Sequence, residues 1–110
     1  MNNPNPNPNP LPIYVDQNAI ENGPRAVLPP GEGEAAQWGD VCNGKGGSRF
    51  VWVMCLPGRS PSRWTYAENL RPWAVYVVTR RGGLGGKVTS SGTLAGALKL
   101  AKRLAAEGGR

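Results

Sequence analysis

Two strand-like segments constrain the fold of this chain more than any other feature, because each is apolar on both of its alternating faces. In residues 49–56 one alternation reads Phe, Trp, Met, Leu and the other reads Val, Val, Cys; residues 72–79 alternate Trp, Val, Val with Ala, Tyr, Val. Strands with two apolar faces lie in the interior of a sheet, and both faces of that sheet then need a cover. The fold therefore depends on which other segments can pack on these two faces of the sheet.

A single long helix is predicted, at the C-terminal end. Apolar side chains recur there at helical spacing and define one face, made of Leu94, Ala97, Leu98, Ala101, Leu104 and Ala105. Ser91 or Thr93 is expected to cap the first turn, and Gly108-Gly109 to end the helix. Since one helix covers one face, either the sheet curls into a small barrel or a partner covers the other face. A homodimer through the uncovered face is one form of the second alternative, and short strands with glycine-rich turns favour the first.

Shorter segments complete a single predicted domain over residues 12–110. Its strands are expected, in chain order, at 12–15, 25–29, 37–42, 49–56, 72–80 and 87–91. The third and fourth form a hairpin through Asn-Gly and Gly-Gly pairs, the fifth and sixth form another, and a short helical turn is expected at 64–70. The fold class is therefore α+β: a small, strongly curved antiparallel sheet or partial barrel with one C-terminal amphipathic helix.

The first ten residues, MNNPNPNPNP, do not contribute to this core. Alternating proline removes every second backbone donor and favours extended geometry, and Asn adds nothing apolar. Residues 1–11 are therefore predicted to form a disordered arm. We expect no signal peptide, because the N-terminus lacks an apolar run and is rich in Asn and Pro. We expect no membrane partner, because no segment approaches the roughly 20 apolar residues that span a bilayer. The expected location is cytoplasmic.

The stretch RRGGLGGK follows a strong strand, which is also the setting of a phosphate-binding loop. The motif GxxxxGK[ST] needs glycine where Arg81 stands and a hydroxyl where Val88 stands. Its helix also begins at the lysine, whereas the strand-like VTSS comes first here. The loop is therefore predicted to be a hairpin turn, and Lys87 a surface cation.

Residue types exclude much catalytic chemistry. The chain has two cysteines and no histidine, so it offers neither a histidine base nor a four-ligand zinc site. No two carboxylates form a recognisable acid–base motif. We predict no enzymatic activity, no catalytic residue, no metal and no cofactor. Cys42 and Cys55 are expected to be thiols, because the predicted hairpin separates them by roughly 20 Å.

The charge is unevenly distributed. Residues 1–47 carry a net charge of −3 and residues 48–110 carry +9, and nine of the thirteen cations in the chain are arginines. Arginine suits planar, bidentate contact with phosphate or carboxylate. An anionic partner for the C-terminal half is one interpretation. The other is a cationic surface against which the acidic segment of the same chain folds.

Residues 38–72, beginning WGDVCNGKGGSRFVWV and containing Trp64, Glu68, Asn69 and Leu70, resemble SH3-type barrels of the Tudor and chromo kind. That resemblance implies a small barrel that binds methylated lysine tails or nucleic acid. It places Trp52 and Trp64 where cage or core aromatics lie. Separately, WAVYVV followed by TLAGALKLAKRLAAEG resembles the strand–strand–helix ending of small bacterial and phage proteins, which implies a fold and no activity.

The sequence suggests two alternative functions. The first is a non-enzymatic module that binds nucleic acid through a basic, aromatic-bearing surface, made of Arg59, Arg63, Trp64, Arg71, Arg80, Arg81, Lys87, Lys99, Lys102 and Arg103. Trp64 stacks on bases in this hypothesis; in the alternative it plugs one end of the core. The second function is that of a phage or mobile-element protein that docks on a host protein assembly and inhibits it, as anti-CRISPR proteins do. In this hypothesis its basic surface meets an acidic patch on the host protein.

Overall fold

The computed structural model describes residues 10–22, 27–55, 71–79 and 87–108. Its elements are β1 (Ile13–Asp16), α1 (Gln17–Asn22), β2 (Glu34–Ala36), α2 (Trp38–Asp40), a π-helical turn (Val41–Lys45), β3 (Arg49–Cys55), β4 (Trp73–Thr79), β5 (Lys87–Ser91) and α3 (Leu94–Ala106). We call α2 and the π-helical turn together the helical segment 38–45. Most of the predicted arm, the helical turn at 64–70 and the turn of the second hairpin lie outside the described residues.

The five strands form one open sheet in the order β2-β1-β3-β4-β5. β3, β4 and β5 are antiparallel neighbours, which confirms the pairing predicted for the C-terminal hairpin. β1 runs parallel to both of its neighbours, so the sheet is mixed rather than purely antiparallel. The α+β class and the C-terminal amphipathic helix are confirmed. The parallel strands arise because β1 reaches β2 and β3 by crossovers, whereas the antiparallel expectation considered hairpins alone.

The hairpin predicted between 37–42 and 49–56 is wrong. In place of its first strand the chain forms the helical segment 38–45, which is interrupted internally at Gly44, where the backbone φ is 138°. The Asn-Gly pair supplies the positive φ that a hairpin turn needs, but that conformation also ends a helical turn. Val41 is completely buried against the sheet, and this packing decides between the two structures. The described part of the predicted strand 25–29 is likewise not in a strand.

α3 packs on one face of the sheet, which we call the α3 face. The six helix positions predicted to be apolar are all buried there. They contact one alternation of the central strands, formed by Val51, Val53, Cys55, Trp73, Val75 and the half-buried Val77. Both the helix face and the strand alternation were predicted correctly, since each follows directly from the residue period.

The opposite face, which we call the aromatic face, buries the other alternation. Its buried cluster consists of Tyr14, Ala36, Val41, Phe50, Trp52 and Val78, with Met54 and Tyr76 packed against it. The helical segment 38–45 covers the cluster through Val41 and through Trp38, whose ring lies 5.0 Å from that of Trp52. The second cover is therefore part of this chain, an alternative that the sequence interpretation did not include. A homodimer through this face stays a prediction.

Both ends of α3 are held by named contacts. Thr93 is the N-cap, and its hydroxyl accepts a hydrogen bond from the Gly96 amide at 3.1 Å. At the other end, Arg49 Nη1 donates to the Gly108 carbonyl at 2.7 Å, and the Leu11 amide donates to the Ala105 carbonyl at 3.1 Å. A cation at a helix C-terminus also opposes the negative end of the helix dipole. These contacts fix the helix on the sheet and thereby fix the direction of its outer side.

Candidate nucleic-acid interface

The outer side of α3 carries the predicted site residues that the structure brings together. Lys99, Lys102 and Arg103 are all exposed. Their spacing of three and four residues makes them neighbours on one helix surface. This surface exists because the buried apolar stripe of α3 packs on the sheet, which leaves these three cations in solvent. We refer to these three residues as the α3 basic surface.

The other two described candidates, Arg71 and Lys87, lie apart from each other. Arg71 is exposed and precedes the first residue of β4, Trp73, which pairs with Ser91. Lys87 begins β5 and pairs with Tyr76. Arg71 and Lys87 are therefore roughly 16 Å apart along the strand direction, at about 3.3 Å per residue. The remaining candidates lie outside the described residues: Arg59, Arg63, Trp64, Arg80 and Arg81.

One acidic residue contacts the α3 basic surface directly. Glu32 Oε2 lies 2.7 Å from Lys102 Nζ. This carboxylate oxygen is buried and makes no well-directed hydrogen bond. The ion pair with Lys102 therefore offsets the cost of burying its negative charge. In this one residue pair, the acidic segment of the chain packs against its cationic surface, which is the second interpretation of the uneven charge. The sequence feature that indicates such a contact is the Glu-Gly-Glu stretch in the negatively charged part of the chain.

A second ion pair lies on the aromatic face. Glu34 is opposite Tyr14 in the β1–β2 register, and its carboxylate pairs with the ammonium of Lys45. The hydrogen bond to Glu34, together with its negative charge, raises the pKa of Lys45. The Tyr14 hydroxyl donates to the Lys45 carbonyl at 2.9 Å, so Lys45 is attached to the sheet by its backbone as well. Glu32 and Glu34 thus engage one lysine on each side of the sheet.

Two shallow grooves flank the Glu32–Lys102 pair along α3. The larger has a volume of about 380 Å³ and lies between the start of β1, residues 31–33 and the last turns of the helix. The smaller, of about 240 Å³, includes Pro29, Leu98 and Lys99. Both grooves have apolar walls, and Glu32 and Lys102 contribute to both. The ion pair therefore separates two depressions that lie beside the α3 basic surface.

The tryptophans divide into two groups. Trp52 and Trp73 are each only 2% exposed and belong to the core. Trp38 is 37% exposed even though its ring contacts Phe50 and Trp52. The sequence interpretation considered exposure only for Trp64, which lies outside the described residues. No periodicity marks Trp38 as a surface residue, because its exposure follows from the helical segment that replaces the predicted strand.

Within residues 10–22, 27–55, 71–79 and 87–108, no group of three or more Cys, Asp or Glu side chains is arranged to hold a metal ion. In that same part of the chain, no helix combines the length and apolarity required to cross a bilayer. Cys42 and Cys55 are both thiols, as predicted, although the hairpin used to separate them is not formed.

Comparisons with known proteins add no family. No protein-family model, curated protein or solved structure matches this chain. Functional inference therefore rests on the charges, contacts and exposure of the residues described above.

Proposed function

We propose that this protein is a non-enzymatic module that binds nucleic acid on the α3 basic surface, with Lys99 and Arg103 as the residues that contact phosphate there. The observation that supports the proposal most directly is the exposure of Lys99, Lys102 and Arg103 on one side of a helix whose other side is fully packed. Cations held on a rigid element attract phosphate without the ordering cost that a flexible tail pays. The net charge of +9 over residues 48–110 adds long-range attraction.

The residues have distinct roles in this proposal. Lys99 and Arg103 contact backbone phosphates, with Arg103 able to donate two hydrogen bonds to one phosphate. Arg71 precedes β4 and Lys87 begins β5, so neither lies on α3, and in this proposal both contribute mainly to the electrostatic field. The candidates outside the described residues add positive charge in this proposal, and Trp64 stacks on bases; the cations among them are Arg59, Arg63, Arg80 and Arg81.

A salt titration tests the proposal. Fluorescence anisotropy with a labelled single-stranded oligonucleotide, and with its duplex, should show binding at roughly 50 mM salt. The logarithm of affinity should fall with the logarithm of salt concentration, by about 0.7 to 0.9 per phosphate contacted. The double variant Lys99→Gln/Arg103→Gln should lower that slope by about 1.4 to 1.8. An absence of binding to both probes at low salt would contradict the proposal.

Lys45→Gln is the matched control for charge. It removes a lysine from the aromatic face, on the opposite side of the sheet from α3. If affinity depends only on net charge, it should weaken binding in proportion to its single lost charge. If the α3 basic surface is the interface, Lys45→Gln should leave the salt slope unchanged, because Lys45 makes no phosphate contact.

The exposure of Trp38 favours a second candidate function. A tryptophan that is 37% exposed and supported by Phe50 and Trp52 is the type of residue that anchors protein interfaces. A phage or mobile-element protein that inhibits a host assembly would use such an anchor. Affinity capture from nuclease-treated host lysate distinguishes the two functions. Capture of a specific assembly that survives nuclease and is lost in Trp38→Ser would support the second candidate against the first.

A further inference from the structure

The Glu32–Lys102 contact has a built geometry rather than that of two mobile side chains that meet by chance. Residues 29–33 form a tight turn in which the Glu32 amide donates to the Pro29 carbonyl at 3.2 Å. Gly31 and Gly33 flank Glu32 with φ values of 78° and 130°. At Gly33 a Cβ atom would lie 3.2 Å from the Ile13 carbonyl oxygen, so the turn packs closely on β1. Glu32 is therefore presented to α3 by backbone conformation.

We infer that Glu32 is an intramolecular competitor for phosphate at Lys102, an inference that rests on the proposed function. The carboxylate occupies Lys102 Nζ at 2.7 Å, whereas Lys99 and Arg103 on the same surface face solvent. The Lys102 side chain is 55% exposed and its ammonium has further donors, but a phosphate that contacts it would lie beside this carboxylate, and like charges at that distance repel. Lys102 is thus withheld from the interface, and the acidic turn lowers the affinity that the α3 basic surface would otherwise have.

Single charge removals on α3 test the inference directly. Lys99→Gln and Lys102→Gln remove the same charge three residues apart on one helix. Lys99→Gln should lower the salt slope by about 0.7 to 0.9, the value of one phosphate contact. Lys102→Gln should leave the slope unchanged. Equal reductions in the two variants would overturn the inference, because they would show that Lys102 contacts phosphate in the wild-type chain.

Removal of the competitor should have the opposite effect. Glu32→Gln should tighten binding by about two- to fivefold, the range of one exposed ion pair, and should raise the salt slope by about 0.7 to 0.9. Glu34→Gln is the matched control, since it makes the same charge change two residues away, where the carboxylate pairs with Lys45. Equal gains in affinity in both variants would show that the effect depends only on net charge and would overturn the inference.

The double variant Glu32→Gln/Lys102→Gln localises the gain. It should return the salt slope to that of the wild type, because the lysine released by the first change is removed by the second. Circular dichroism melting confirms that each variant is folded. If Glu32→Gln does not fold, the comparison of Lys99→Gln with Lys102→Gln still decides the question. If neither the wild type nor any variant binds either probe at low salt, the proposed function is wrong, and the inference, which rests on it, is wrong as well.

Discussion

The two faces of the central sheet are covered in different ways, and the two covers are expected to differ in how sensitive their packing is to substitution. The α3 face is covered by a helix of 13 residues with its own N-cap and a continuous apolar stripe. The aromatic face is covered by the helical segment 38–45, which has no such stripe. It is held by the buried Val41, the ring contacts of Trp38 and one hydrogen bond from Tyr14.

This difference shows how one chain covers a sheet that is apolar on both sides. The α3 face gains its stability from the summed burial of many small and aliphatic side chains around Trp73, and such packing tolerates volume-conserving changes. The aromatic face depends on a few large rings and on close approach of the backbone, where small changes in volume have large effects. We therefore expect substitutions to act globally under α3 and locally under the helical segment.

The largest effect is expected at the centre of α3. Leu98 is 2% exposed and packs against the central strands. Leu98→Ala should lower the free energy of unfolding by about 2 to 5 kcal/mol, through lost burial and the cavity left behind. Urea denaturation measures the change. Lys99→Ala is the control on the solvent side and should change stability little; equal losses at the two positions would mean that the buried side of α3 is assigned incorrectly.

Gly46 tests how closely the second cover approaches the sheet. A Cβ atom at this position would lie 2.6 Å from ring carbon Cδ1 of Phe50 and from Cγ1 of Val41. Its φ is −79°, so an alanine would be strained by packing alone. Gly46→Ala should cost about 1 to 3 kcal/mol in urea denaturation.

Gly39→Ala is the matched control, because nothing lies within 4 Å of a Cβ atom at Gly39. Its effect should be neutral or stabilising by up to about 1 kcal/mol. A Gly46→Ala variant as stable as Gly39→Ala would show that the aromatic face adjusts as easily as an aliphatic one, and would remove the contrast between the covers.

Tyr14→Phe tests the attachment of the second cover while keeping the ring contact with Phe50. Loss of the hydrogen bond to the Lys45 carbonyl should cost about 0.5 to 1.5 kcal/mol. Because the contact is local, trypsin cleavage after Lys45 should accelerate under native conditions, while cleavage after Lys99 and Lys102 should not. Equal acceleration at all three sites would indicate global unfolding and contradict the local character of this cover.

The smallest effect is expected at Asp16, at the end of β1. Burial raises the pKa of its carboxyl, and the hydrogen bond from the Asn18 amide opposes that shift only in part. The folded state therefore holds this proton to higher pH than the unfolded state, so stability falls as pH rises through the raised pKa. Asp16→Asn keeps an acceptor for Asn18 and removes the ionised form.

This variant should be more stable than the wild type at pH 7 by less than about 0.5 kcal/mol, because solvent screens the half-exposed carboxyl. The gain should vanish below about pH 3, where the carboxyl is protonated in both states. Thermal unfolding across pH measures it. A gain that is the same at both pH values would mean that the effect is not electrostatic.

Periodic features of the sequence were sufficient for the helix and the central strands. Alternation over residues 49–56 and 72–79 identified β3, β4 and the face on which each of their side chains lies. The spacing of Leu94, Leu98 and Leu104 identified the buried side of α3 and, as a consequence, its basic side. These features are local, because the period of a strand or helix is a property of a few consecutive residues.

Only the tertiary structure decided the second cover, the parallel placement of β1 and the contact of Glu32 with Lys102. Residues 37–48 contain both the turn chemistry of a hairpin and that of a helical turn, and burial of Val41 over Phe50 selects the second. Glu32 and Lys102 are separated by seventy positions in the chain, and no local pattern relates them. Such outcomes depend on free-energy differences between distant packings, which the preferences of neighbouring residues do not specify.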